Sequence, residues 1–170
     1  MTERKTVANK EKQEFAKKNM RFNRFLAFRY MTALFFFVNL YWSILSLSNW
    51  TFAGLIPIGL LFVDGLILIE QTQKYWQQSN HLKVTIIGYW VQIFVNTLGI
   101  LLALFNQQAF FVPFMSQSGK ILLLLLFTIG LLACLYMQRK AWLIEHDRDS
   151  YLKYLEVFEN KGGKTNELRK

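Results

Sequence analysis

Two long stretches of this 170-residue chain are almost free of charge, and nothing else constrains its fold as much. From Tyr30 to Ile69 the only formal charge is Asp64, and from Val84 to Gln138 the only one is Lys120. Apolar runs of this length are the mark of membrane spans. A hydrocarbon core about 30 Å thick takes roughly 20 residues of helix at about 1.5 Å rise each. Four segments qualify: Tyr30–Ser48, Thr51–Ile69, Val84–Phe105 and Gly119–Gln138. The runs are continuous rather than alternating, which argues for helices and against a β-barrel. The expected fold class is therefore an all-α integral membrane protein with four transmembrane helices, about 30–48, 51–69, 84–105 and 119–138.

The gaps between these runs differ in charge. Ser48-Asn49-Trp50 and Asn106–Ser118 carry none. The gap between the second and third runs carries Glu70, Lys74, His81 and Lys83. Nine basic residues and three acids precede the first run, and eight basic residues and six acids follow the fourth. Basic residues stay on the cytoplasmic side. Four crossings with both termini inside put all three charged regions together. Some 29 polar and basic residues precede the first run, which is also too long for a signal-peptide core, so it is read as an uncleaved span. Trp42, Trp50, Tyr75, Trp76 and Trp142 fall near the expected water boundaries, where aromatic side chains gather.

Residues 1–29 read as a basic amphipathic cytoplasmic or interfacial segment, an N-terminal amphipathic helix lying along the inner membrane surface and leading into the first span. Phe15, Asn19, Phe22 and Leu26 share one helical face, and Lys12, Lys17, Lys18, Arg21 and Arg24 are expected to contact anionic lipid headgroups. Residues 30–138 form the four-helix transmembrane bundle. A cytoplasmic extension of the fourth helix is expected over 139–160, with Ile144, Tyr151, Leu155 and Phe158 at helical spacing. Gly162 and Gly163 stop it and begin a flexible tail over 161–170. An apolar seam on that helix calls for a cover: the N-terminal helix, a second copy or another protein.

Inside the spans the sequence is most specific. Thr85, Gly88, Gln92, Asn96, Gly99, Ala103 and Asn106 follow at spacings of 3, 4, 4, 3, 4 and 3. Every member is small or polar, so this helix-packing stripe is expected to face protein rather than lipid. Thr32, Asn39, Ser43 and Ser46 repeat the device in the first span. The second span offers Gly54, Pro57, Leu61 and Asp64, with Pro57 placed to kink it. The fourth is more uniformly apolar, with Cys134 as a small packing residue.

Asp64 comes out roughly 8–9 Å inside the hydrocarbon, at a depth overlapping Asn39, Gln92 and Asn96. These four are the expected intramembrane polar cluster. An ionised carboxylate at such a depth costs about 2.5–3.5 kcal/mol, and no basic residue of these spans lies level with it. Asp64 is read either as a proton or cation site or as a hydrogen-bonding residue that fixes helix register.

Several classes find no support. Cys134 has no partner for a disulfide. A chain that is 53% hydrophobic and 16% aromatic is not a disordered tail. The basic ends lack a nucleic-acid-binding fold or an aromatic platform, so no nucleic acid is expected. There is no Ser–His pairing, paired-carboxylate set or phosphate loop, so no enzyme activity, cofactor or metal is expected. The expected function is that of a non-catalytic accessory, regulatory or assembly subunit of a membrane complex. Its expected partners are another membrane protein or further copies of itself. The alternatives are a small oligomeric transporter or channel coupled through Asp64, and a membrane-anchored regulator that binds a cytoplasmic protein through its terminal helices. Lys outnumbers Arg, Asn and Gln are frequent and no targeting segment is visible, which suggests a bacterial cytoplasmic membrane.

Overall fold

The computed structural model describes residues 2–48, 52–76, 81–146 and 148, and among these the chain is helical with no strand. Helix α1 spans Thr2–Leu47, α2 Leu55–Trp76, α3 Lys83–Leu104, the short α4 Gln108–Phe111, and α5 Lys120–Glu145. Single 3-10 turns at Phe52–Gly54 and Gln117–Gly119 lead into α2 and α5. Four of these helices are long and apolar enough to cross a membrane: Asn23–Leu47 within α1, Leu55–Gln73 within α2, α3 and α5.

The buried positions explain how they pack. Along α1 they are Phe25, Phe28, Thr32, Phe35, Asn39, Trp42 and Ser46, with Ser43 adjoining. Along α2 they are Pro57, Leu60, Asp64, Ile67 and Gln71. Along α3 they include Thr85, Tyr89, Gln92, Asn96, Gly99 and Ala103. Each series steps by 3 and 4, the spacing that keeps one face of a helix turned to its neighbours. In α2 the seam passes through Leu60 rather than Leu61, which is half-buried.

The helices alternate in direction. Asn39 meets Asp64 and Ser46 lies against Gly54 in the α1–α2 pair. Ile86 meets Gln138 and Gly99 lies against Phe127 in the α3–α5 pair. Ile67 and Val63 lie over Gly88 where α2 crosses α3. The bundle thus has a proximal end, with the start of the α1 seam, the α2–α3 connection and the end of α5. The distal end holds the other two connections. A proximal core gathers around Phe28, Phe35, Tyr89 and Met137, and a distal one around Trp42, Phe111, Val112 and Phe127.

Four local features depart from the sequence reading. The segment expected to precede the first span is continuous with it, making one 46-residue helix. No Gly or Pro interrupts Thr2–Leu47, so nothing local ends the helix. Pro57 makes no kink, because it occupies the first turn of α2, where its missing N–H has no helical carbonyl to serve. Trp42 is a core residue, 8% exposed, rather than an interfacial one. Its ring packs on Phe111 and Phe127, with centroids 5.1 and 6.0 Å away. The uncharged distal loop contains α4, which buries Gln108 and Phe111.

Helix α5 continues past 138 to Glu145 and turns at His146. The expected cytoplasmic helix beyond 148 and the tail 161–170 lie outside the described residues.

Candidate functional site

The chemistry of this chain is concentrated in polar side chains enclosed by the four long helices. In hydrocarbon such groups must find partners within the protein, because there is no water outside to serve them.

At the proximal end the partners are helix termini. Leu82 stands at the N-cap of α3 and offers no side-chain acceptor. Glu70, near the end of α2, supplies it instead. Its Oε1 accepts from the Val84 N–H at 3.2 Å, and its Oε2 accepts from the Thr85 N–H at 2.7 Å and from Thr85 Oγ1 at 2.6 Å. A carboxylate here also lies favourably against the positive end of the α3 dipole. Gln71 Nε2 donates to the same Thr85 hydroxyl at 2.7 Å. Two arginines of α1 serve carbonyls near helix C-termini. Arg29 donates to Gln71 O at 2.8 Å, and Arg24 to Ile144 O, in the last turn of α5, at 3.2 Å. Gln138 Nε2 joins α5 to α3 through Ile86 O at 3.1 Å.

One layer deeper, the hydroxyls of Thr32 and Tyr89 are 3.0 Å apart in a hydrogen bond. Phe28 and Phe35 flank Tyr89, with ring centroids 6.3 and 6.2 Å away. Beyond them lies Asp64, less than two helical turns before Glu70 in α2. Asn39 Nδ2 donates to Asp64 Oδ2 at 2.8 Å, and the two residues are 1% and 3% exposed. No Lys or Arg pairs with Asp64 among the described residues.

The four residues of the expected polar cluster divide into two sets. Asn39 and Asp64 are bonded to each other. Asn96 instead reaches Cys134 Sγ at 3.9 Å, and Gly130 sits against its amide. Gln92 is buried on the same face of α3. The six stripe residues Thr85, Gly88, Gln92, Asn96, Gly99 and Ala103 are all buried inside this single chain. Two of them are approach points. A Cβ at Gly88 would stand 2.9 Å from Ile67 Cγ1, and one at Gly99 would stand 2.7 Å from Phe127 Cε2. Asn106, the next residue of the series, is exposed and adopts φ 58°. It ends α3 as a left-handed cap: its N–H bonds Ala103 O at 3.2 Å and the Gln107 N–H bonds Leu102 O at 2.8 Å. Lys120 Nζ then donates to Asn106 Oδ1 at 2.6 Å, fastening the start of α5 to the end of α3.

Of the residues expected at lipid headgroups, Arg24 turns inward to α5 and is buried. Lys12, Lys17, Lys18 and Arg21 lie on the helical backbone of α1, and their side chains are outside the described set. Glu70, Gln71, Arg29 and Gln138 are polar partners that the sequence reading did not single out. Their acceptors and donors are 14 or more residues distant in sequence, so no local capping motif announces them.

The distal half of the interior is different. Trp42 Nε1, Ser43 Oγ and Ser46 Oγ are buried and have no hydrogen-bond partner among the described residues. They occupy consecutive turns of α1 on the far side of Asn39.

The chain matches no protein-family model, and no curated protein or solved structure is significantly similar to it.

Proposed function

We propose that this chain is a non-catalytic, multi-pass protein of a bacterial cell membrane, with both termini cytoplasmic, that serves as an accessory, regulatory or assembly subunit of a larger membrane complex. The observation that supports this reading is the continuity of α1. At about 1.5 Å per residue its 46 residues run about 69 Å, far more than a bilayer core needs. The part before Asn23 therefore extends beyond the span as a helical arm. Between Thr2 and Phe22 that arm carries Arg4, Lys5, Lys10, Lys12, Lys17, Lys18 and Arg21 against Glu3, Glu11 and Glu14. Arg24 and Arg29 hold the base of the arm to α5 and α2. An arm so braced presents positive charge at a fixed place relative to the bundle. It suits an acidic face of a neighbouring protein with anionic headgroups beside it.

The test is capture of the tagged full chain in nanodiscs, followed by mass measurement of the intact complex. A second protein at fixed stoichiometry is expected, and it should be lost when Lys12, Lys17, Lys18 and Arg21 are replaced by Gln. A monomer with nothing bound overturns the reading. A homo-oligomer that carries solute in an Asp64-dependent manner replaces it with transport.

A further inference from the structure

The Asp64 carboxyl is enclosed, its polar partner is Asn39, and no Lys or Arg among the described residues neutralises it. The two directions along the bundle from this point are unlike. Toward the proximal end stands an aromatic layer, with Tyr89 between Phe28 and Phe35 and its hydroxyl already paired with Thr32. Toward the distal end stand Trp42 Nε1, Ser43 Oγ and Ser46 Oγ, buried and without a partner among the described residues. Ser43 lies one helical turn from Asn39, and Ser46 lies two, where α1 meets Gly54 near the distal end of the bundle. Buried polar atoms without a protein partner are the places where water enters a protein interior.

We propose that Asp64 is a proton-exchange site loaded from the distal side, through water that follows the Ser46 and Ser43 hydroxyls and the Trp42 indole. The incoming proton arrives as hydronium. It forms an O–H bond on the carboxyl oxygen that does not accept from Asn39, and a neutral water is left behind. Release is the reverse, with the carboxylate returning the proton to water. A proton suits the site better than a metal cation does. Asn39 turns an N–H toward the carboxylate, where a cation would need an oxygen ligand. The titratable groups buried in the same interior from the other helices are the Tyr89 hydroxyl of α3 and the Cys134 thiol of α5. Neither brings positive charge. The site is independent of whatever binds the arm of α1.

Infrared difference spectroscopy of the full chain in phosphatidylcholine–phosphatidylglycerol vesicles tests this. The expected result is a carboxylic-acid C=O band that titrates with pH, shifts in D2O and vanishes in Asp64→Asn. If Asp64→Asn does not fold by circular dichroism, Asp64→Glu should move the band instead. The double variant Ser43→Ala/Ser46→Ala should keep the band but slow its deuterium exchange about tenfold, equivalent to about 1.4 kcal/mol of barrier. Thr32→Val should leave the exchange rate unchanged. The proposal is overturned by a band that does not respond to pH while the chain stays folded. It is equally overturned by exchange that slows in Thr32→Val and not in the serine variant, or by loss of the band on adding sodium at constant pH.

Discussion

The two ends of this bundle are held together by different means. Proximally, polar side chains cross from helix to helix: Glu70 to the start of α3, Gln71 to Thr85, Arg29 and Arg24 to helix carbonyls, and Thr32 to Tyr89. Distally, apart from the exposed Lys120–Asn106 tie, the seam is filled by rings. Trp42, Phe111 and Phe127 form a triangle of contacts with centroids 5.1 to 6.0 Å apart, and Phe127 lies on Gly99. Even the proximal end is not wholly satisfied, since Gln71 Oε1 and Gln138 Oε1 have no partner among the described residues. Yet each of those amides makes one bond between helices through its nitrogen, whereas the distal Trp42, Ser43 and Ser46 side chains make none among the described residues. Lipid gives helices no hydrophobic reason to associate, so contact and hydrogen bonding must suffice. The contrast shows both solutions inside one chain, meeting at Asn39 and Asp64.

The largest effect should come from emptying the ring triangle. Phe127→Ala removes the ring from Gly99, Trp42 and Phe111 at once. The loss should be about 3 kcal/mol in mixed-micelle unfolding, the low end for a core aromatic, because in lipid the transfer component falls away. A loss no greater than that of a single hydrogen bond would mean that the distal half is not held by its rings.

Next in size is Glu70→Ala. It takes the acceptor from two α3 amides and a hydroxyl together, and should cost about 1–2 kcal/mol. The specific sign is faster hydrogen exchange at Val84 and Thr85 with distal amides unchanged. Exchange that rises equally in both halves would erase the distinction between them.

The smallest pair sharpens the comparison most. Thr32→Val breaks the bond to Tyr89 and should cost about 0.6 kcal/mol, the average for hydrogen bonds between membrane helices. Ser46→Ala should cost less than that, because no protein partner is lost. Equal losses would show that the Ser46 hydroxyl has a partner within the protein.

Much of this architecture can be read in the sequence, and the reason is periodicity. A membrane-crossing helix must be long, and its faces must differ, so charge-free length marks the four helices and spacing marks their inward sides. The α3 series from Thr85 to Ala103 is visible on both counts. What the sequence hides is pairing across distance. Nothing local says that Glu70 serves Val84 and Thr85, that Arg24 turns inward rather than to lipid, or that Asn96 meets Cys134 and not Asp64. Trp42 misleads for a related reason. A tryptophan near a span boundary suits the interface, but α4 folds Phe111 against it and makes a core there. The continuity of α1 was hidden because a charged stretch followed by an apolar one reads as two elements, although no residue between them breaks a helix.

The Glu70 and Arg24 contacts also order the making of the chain. Glu70 is synthesised before the helix it starts, so α3 finds its acceptor waiting when its first turn emerges. Arg24 is in the opposite position. Its acceptor, Ile144, lies 120 residues later. At about 5–20 residues per second that contact is delayed by roughly 6–24 s. The proximal end can close only after the last helix has arrived, so a chain truncated before Ile144 exposes its own incompleteness through a guanidinium that has not reached its seat.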